Sequence, residues 1–239
     1  MFHDAESRQS SGEGNLLLSD LSERDYRGLS ALGTRINLPT KTVLFEPGQK
    51  IRHVFFPIRG SVSLTTPVAG HPRVAVGMIG DEGMLGIWSL LGVGIAPLHA
   101  EILSDAAAWR FDVAPFLKSM TRYPTLRRRL NLYLYVLFTQ RTQAAICAGF
   151  HVLEGRLANR ILMTRDRAHA DDFHITHEFL AGILGVRRAG VTREAQLLQE
   201  RGLIRYSRGN VEIIDGRGLE AAACDCYVKD LGTYRRALD

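Results

Sequence analysis

The stretch from Phe173 to Ile204, FHITHEFLAGILGVRRAGVTREAQLLQERGLI, constrains this chain more than any other. Thr176 can cap a helix whose first turn holds Glu178, where the positive helix end favours an acid. Leu180, Ile183 and Leu184 supply a buried stripe, and Ala181 is small enough for a second helix to cross closely. Gly185 stands where a left-handed residue ends the first helix and turns the chain. Val186 and Val191 anchor the second helix, and Leu197, Leu198, Leu203 and Ile204 close the core. Two short helices joined by a tight glycine turn are a helix-turn-helix.

The residues that follow, GLIRYSRGNVEIID over 202–215, read as strand, tight turn at Arg208-Gly209-Asn210, and strand, which makes a hairpin wing. Between 187 and 208 there are six arginines (187, 188, 193, 201, 205, 208) against Glu194 and Glu200. The chain as a whole carries only +5, so this concentration is the electrostatic footprint of a polyanionic partner, double-stranded DNA. The expected DNA contacts are Thr176, His177, Arg187, Arg188, Ala189, Thr192 and Arg193, with Arg205 and Arg208 beside the phosphates from the wing.

Upstream the pattern changes. Short runs at 42–45, 53–56, 61–65, 73–77 and 107–111 are punctuated by Pro47-Gly48, Gly60, Gly70 and Gly80-Asp81. Such spacing indicates an antiparallel β-barrel or jelly roll. Over Thr125–Cys147 the period becomes helical. Leu126, Leu130, Tyr133, Leu137, Gln140, Ala144 and Cys147 step by four and three, which is a heptad seam. Leu132, Leu134, Tyr135, Val136 and Phe138 make the same helix apolar elsewhere, so it needs two partners, the barrel and a symmetry mate. A further amphipathic helix is expected over 151–165. The fold class is therefore α+β, with a polar disordered tail over 1–14, a sensor barrel over 15–124, a dimerisation helix over 125–150 and a winged helix-turn-helix over 151–239.

The order and wording of these parts resemble the Crp/Fnr (cyclic-AMP receptor protein / fumarate-nitrate regulator) family from about residue 20 onward. Phe55-Phe-Pro-Ile-Arg-Gly-Ser-Val-Ser-Leu resembles a strand pair of that family, and Met78-Ile-Gly-Asp-Glu-Gly-Met-Leu-Gly its Gly-rich turn. The resemblance implies a cyclic-nucleotide-binding-like domain and a homodimeric transcription regulator working on a palindromic operator with RNA polymerase as partner. It also places Arg188 and Arg193 on two family arginines that read guanine or hold phosphate. Two positions depart from the pattern. Ala189 stands where the family often has an acid, and Glu194 occupies a usually apolar slot, so the operator should differ from the best-known palindrome.

The sensor end departs further. Cyclic-nucleotide-binding relatives follow a Gly-Glu-Leu turn with an Arg-Ser pair for ribose and phosphate. Here Met84 replaces the glutamate, and no arginine occurs between Arg73 and Arg110. A buried phosphate without a cation is costly, so cyclic AMP is not the expected effector. The tentative pocket is Met84, Leu85, Gly86, Trp88 and His99, with room for another small apolar ligand near Trp88 and Trp109. An iron–sulfur centre of the family's other branch needs clustered thiolates, and no cysteine precedes Cys147. Haem through His3, His53, His71 or His99 rests on lone histidines, which read as surface or core residues. Cys224-Asp-Cys226 at a helix terminus reads as incidental rather than as a redox pair, and no metal site or cofactor is expected.

An enzymatic cupin needs close ligand pairs, and His53, His71 and His99 are scattered without an H-x-H. The alternative is a ligand-binding or protein-interaction module with a cupin-like barrel, which predicts no salt-dependent affinity for DNA. The uncharged stretch Gly83–Leu98 is too short to span a membrane. With no apolar leader and three cysteines, a cytoplasmic location is the expectation.

Overall fold

The computed structural model describes residues 14–69 and 71–238. Of the expected tail only Gly14 falls within them; His3 and the side chain of His71 lie outside the described residues. Contacts divide the chain into two compact units. Among the described residues, one comprises 14–66 together with Gly77–Leu134, and the other comprises Pro67–Val76 and Tyr135–Ala237.

The first unit opens with α1 (Glu23–Ser30), capped by Ser22, whose hydroxyl accepts from the Asp25 amide at 3.1 Å. Seven strands follow: β1 (Gly33–Leu38), β2 (Val43–Phe45), β3 (His53–Arg59), β4 (Val62–Val68), β5 (His71–Ile79), β6 (His99–Ile102) and β7 (Ala106–Asp112). They form two antiparallel sheets, of order β1-β7-β3 and β2-β6-β4-β5. Strand order that jumps along the sequence in this way is jelly-roll topology rather than a meander. Alternation along β3 sends Phe56 into a core shared with Phe111 and Phe116, all three at most 1% exposed and with ring centroids 5.6–5.7 Å apart. The short α2 (Val113–Ser119) carries Phe116 into that core.

Asn15 fastens the N-terminal segment to the Gly-rich turn. Its buried amide donates to the carbonyls of Pro57 (2.8 Å) and Gly83 (2.9 Å). Gly83 has no freedom to carry a side chain, because a Cβ there would lie 2.2 Å from the Tyr133 hydroxyl.

The long helix α3 runs Pro124–Phe150, slightly beyond the expected span, with proline at its first position where no amide is needed. In the second unit it is followed by α4 (Leu153–Ala168), β8 (Asp172–His174), α5 (His177–Leu184), α6 (Arg188–Glu200), β9 (Ile204–Ser207), β10 (Asn210–Ile213), α7 (Gly216–Ala222) and α8 (Cys226–Leu238). Leu157, Ile161, Leu162, Leu180, Val191, Leu198 and Leu219 form one continuous core beneath the two helices of the motif.

One sequence expectation is corrected here and a second is extended. Leu126, Leu130, Tyr133 and Cys147 are at most 8% exposed within a single chain, so these seam positions have no surface to offer a partner. Leu137 and Gln140 are half-buried, and Ala144 alone of the seven is exposed. The periodicity records packing inside the chain. The expected wing hairpin has a third strand, β8, paired antiparallel to β10 with Val211 opposite Phe173. The polar residues before Phe173 hid it.

Candidate nucleic-acid interface

The turn between the two helices of the motif is formed as its residues dictate. The Thr176 hydroxyl accepts from the Phe179 amide (3.1 Å), and Gly185 closes α5 in the left-handed conformation (φ 65°, ψ 38°). The Arg156 guanidinium donates to the Leu184 carbonyl, placing a cation on the negative end of α5. Arg201 is ion-paired to Glu154, which ties the end of α6 to α4.

Helix α6 shows solvent one polar face. Arg187, Arg188, Ala189, Thr192 and Arg193 are exposed, whereas Val191, Ala195 and Leu198 are buried beneath. Thr176, Arg205 and Arg208 are exposed as well. Arg208 and Gly209 form the two-residue turn between β9 and β10, both with positive φ (50° and 88°). That is the backbone of a type I′ hairpin turn, whose twist matches the flanking strands. Arg205 is ion-paired across the wing to Glu212.

His177 differs from expectation. It is half-buried, with Nδ1 3.0 Å from the Thr192 hydroxyl, and its ring stacks on Tyr206 at a centroid distance of 4.0 Å. The Tyr206 hydroxyl donates to the Ile175 carbonyl, and the Tyr206 amide donates to Gln199 Oε1 at 2.7 Å. His177 therefore braces α5, α6 and β9 together rather than pointing freely outward. Burial, with the nearby Arg188 charge adding to it, holds its imidazole below the ordinary range.

Several residues of the expected effector pocket are packed into the protein interior. Met84 and Leu85 are completely buried, and Leu85 exchanges backbone hydrogen bonds with Phe55 (2.8 and 3.1 Å). Trp88 packs against Phe45, in the ring group of Phe55. Trp109 stacks on Phe111 in the group of Phe56, on the opposite face of β3, and donates to the Tyr26 hydroxyl. His99 is buried between Glu46 (Nδ1 to Oε2, 3.0 Å) and Glu101 (Nε2 to Oε2, 3.1 Å). His53 lies 3.2 Å from Asp112. Both ring nitrogens of His99 thus face carboxylates, a poor arrangement for an axial haem ligand.

Residues 155–222 match the Crp-like helix-turn-helix domain. The two sheets, the long helix and this domain follow one another in the family's order. The chain carries a Crp-like helix-turn-helix domain and is similar over most of its length to Crp/Fnr transcription regulators. The cyclic AMP receptor protein of Thermus thermophilus is 23% identical over 185 residues, 77% of this chain and 86% of that protein. Among solved structures, FixK2 from Bradyrhizobium japonicum is similar at a TM-score of 0.69 and 14% identity, covering 80% of this chain and 98% of that one. A CRP/FNR-family regulator from Thermus thermophilus has a TM-score of 0.65 at 20% identity, covering 80% and 98%. At these identities the two structures establish the fold. Among the described residues, no helix is long and apolar enough to cross a membrane.

Proposed function

We propose that this regulator acts as a homodimer that presents α6 twice to a two-fold-related DNA site, with half-sites about one helical turn apart. The observation that carries the reading is the exposed cationic face of α6 continuing into the Arg205 and Arg208 wing. Arg188 is the residue assigned to a base edge, because a guanidinium at the helix N-terminus can reach guanine in the major groove. Arg187, Arg205 and Arg208 are assigned to phosphates, and Thr176 and Thr192 flank them. Arg193 is assigned to the same surface, restrained by Glu194. Ala189 offers the groove a methyl group and no acceptor, which favours an operator distinct from that of relatives with an acid there. A palindromic site and contact with RNA polymerase follow from the same reading.

The dimer face is assigned to the exposed row Asn131, Tyr135, Phe138, Thr142, Ala145 and Gly149, which steps by four and three along α3. Phe138 is 74% exposed there. Large exposed aromatics among small residues at heptad spacing are what a second copy of the helix covers.

Cyclic AMP is not assigned as the signal. Met84 is fully buried where relatives place a ribose-binding glutamate, and residues 74–109 contain no lysine or arginine for the phosphate.

The test is a gel-shift titration against genomic fragments that include the gene's own upstream region. Affinity should fall steeply with salt. Arg188→Ala should relax base preference by about 1–3 kcal/mol, while Arg208→Ala should weaken all sequences alike. Binding that is absent or insensitive to salt removes the reading and favours an interaction module. Cyclic AMP should leave the melting temperature unchanged.

A further inference from the structure

The three cysteines of the chain, Cys147 far in sequence from the pair Cys224 and Cys226, meet at one point of the second unit. Cys147 lies in the last turn of α3, His151 just beyond it, Cys224 between α7 and α8, and Cys226 at the start of α8. One ligand atom from each of these four residues lies within 4.8 Å of all the others. Cys147 Sγ is 3.6 Å from Cys224 Sγ, and Cys226 Sγ is 3.3 Å from His151 Nδ1. We propose that Cys147, His151, Cys224 and Cys226 form a tetrahedral zinc site of three thiolates and one imidazole.

The dimensions favour a single ion. With Zn–S of about 2.3 Å and Zn–N of about 2.0–2.1 Å, the edges of a tetrahedron are about 3.8 Å between sulfurs and about 3.6 Å between sulfur and nitrogen. Two of the six edges, at 3.6 and 3.3 Å, differ from these by a few tenths of an ångström, and all six lie within 4.8 Å. Iron–sulfur clusters spread their thiolates over several metal atoms and need wider spacing. A mixed thiolate and imidazole set selects zinc among the common divalent ions.

The surroundings are those of a metal centre. His151 offers Nδ1 to the thiolates, while its Nε2 lies 3.4 Å from the Asp225 carboxylate. That carboxylate fixes the ring and the tautomer, as in carboxylate–histidine–zinc triads. Asp225 is itself held by Lys229 at 2.6 Å. Gln143 donates to Cys226 Sγ (3.0 Å) and Asn159 to Cys224 Sγ (3.7 Å), and such amide donors stabilise thiolate charge. The Cys224 amide donates to the Gly155 carbonyl at 3.1 Å, and a Cβ on Gly155 would lie 3.2 Å from that amide nitrogen. The backbone carrying Cys224 is thereby pressed onto α4.

Loading the site exchanges up to three thiol protons for one Zn2+, leaving three thiolates, one neutral imidazole and a net charge of −1. The ion would bind the end of α3 to the junction of α7 and α8. All four ligands lie outside residues 155–222, so the site belongs to this chain's own flanks rather than to the shared domain.

Reduced full-length protein should bind one equivalent of zinc per chain. Cobalt(II) in its place should give the intense visible bands of tetrahedral coordination with a near-ultraviolet thiolate charge-transfer band. Asp225→Asn should weaken zinc binding by about 10–100-fold, and Cys224→Ser should abolish the cobalt charge-transfer signature of three thiolates. The wild-type cobalt spectrum stands even if a variant misfolds. A weak octahedral spectrum, no binding by the reduced protein, iron with inorganic sulfide instead of zinc, or unchanged zinc content in folded Cys224→Ser would each overturn the proposal. None of these readouts involves DNA, so they are independent of the operator reading.

Discussion

The carboxylate of Glu194 accepts two hydrogen bonds from the guanidinium of Arg193, from Nε at 3.0 Å and from Nη2 at 2.7 Å. The acid is buried, with its side chain 8% exposed, while the arginine is 75% exposed. The partner it selects is therefore an exposed arginine of the surface proposed to meet DNA. A guanidinium held this way offers fewer donors to a phosphate or a guanine. Glu194→Gln should tighten DNA binding and steepen the dependence of log K on log salt by about 0.9, the increment for one more neutralised phosphate. A salt-series binding assay on the two proteins checks it, and identical slopes would show that Arg193 does not reach DNA.

The brace of His177 against Thr192 and Tyr206 carries a pH dependence. Burial first, and the Arg188 charge second, lower the His177 pKa in the folded chain from the ordinary 6.5. The unfolded chain then binds the extra proton more readily. The stability this residue contributes is complete above pH 6.5 and is lost as pH falls from there through the folded-state value. Thermal stability should weaken below that pH in wild type, and His177→Gln should flatten this part of the profile. Parallel profiles for the two proteins would refute the assignment.

The exposed row on α3 and the buried one make opposite predictions. Phe138→Glu should leave the fold intact and convert the proposed dimer to a monomer of 26.6 kDa, with a matching loss of affinity for the proposed two-fold site. Leu130→Ala, in a completely buried position, should cost about 2–5 kcal/mol of stability without a specific effect on assembly. Sedimentation and denaturant titration separate the two. A dimeric Phe138→Glu would place the interface elsewhere.

At the wing tip, Gly209 combines φ 88° with a neighbour that leaves no room, since a Cβ would lie 2.5 Å from the His174 ring. Gly209→Ala should cost about 1–3 kcal/mol through backbone strain alone, more if His174 cannot move. It should also displace Arg208 and weaken DNA binding. Hydrogen exchange across 204–213 would localise the loss, and unchanged protection there would contradict it.

Much of this protein was legible in its sequence because the signals are local. The cap at Thr176, the turn at Gly185, the arginines of α6 and the Arg208-Gly209 turn each act over a few residues, and each formed as read. The strands around Phe55-Phe56 and the long helix were marked by periodicity in the same way. Periodicity says that a helix face is covered, however, and not by what. The heptad step points Leu126, Leu130 and Tyr133 at a second chain, and the fold buries them within one. The tertiary structure leaves Tyr135 and Phe138 exposed instead. The spacing of Cys147 and His151, four residues apart at a helix end, together with Cys224-x-Cys226, is a metal-ligand pattern that the sequence did carry. Only the tertiary structure could join its halves. They stand at opposite ends of the DNA-binding domain's sequence, and the return of α8 to the end of α3 is set by packing around α4, which no local rule encodes.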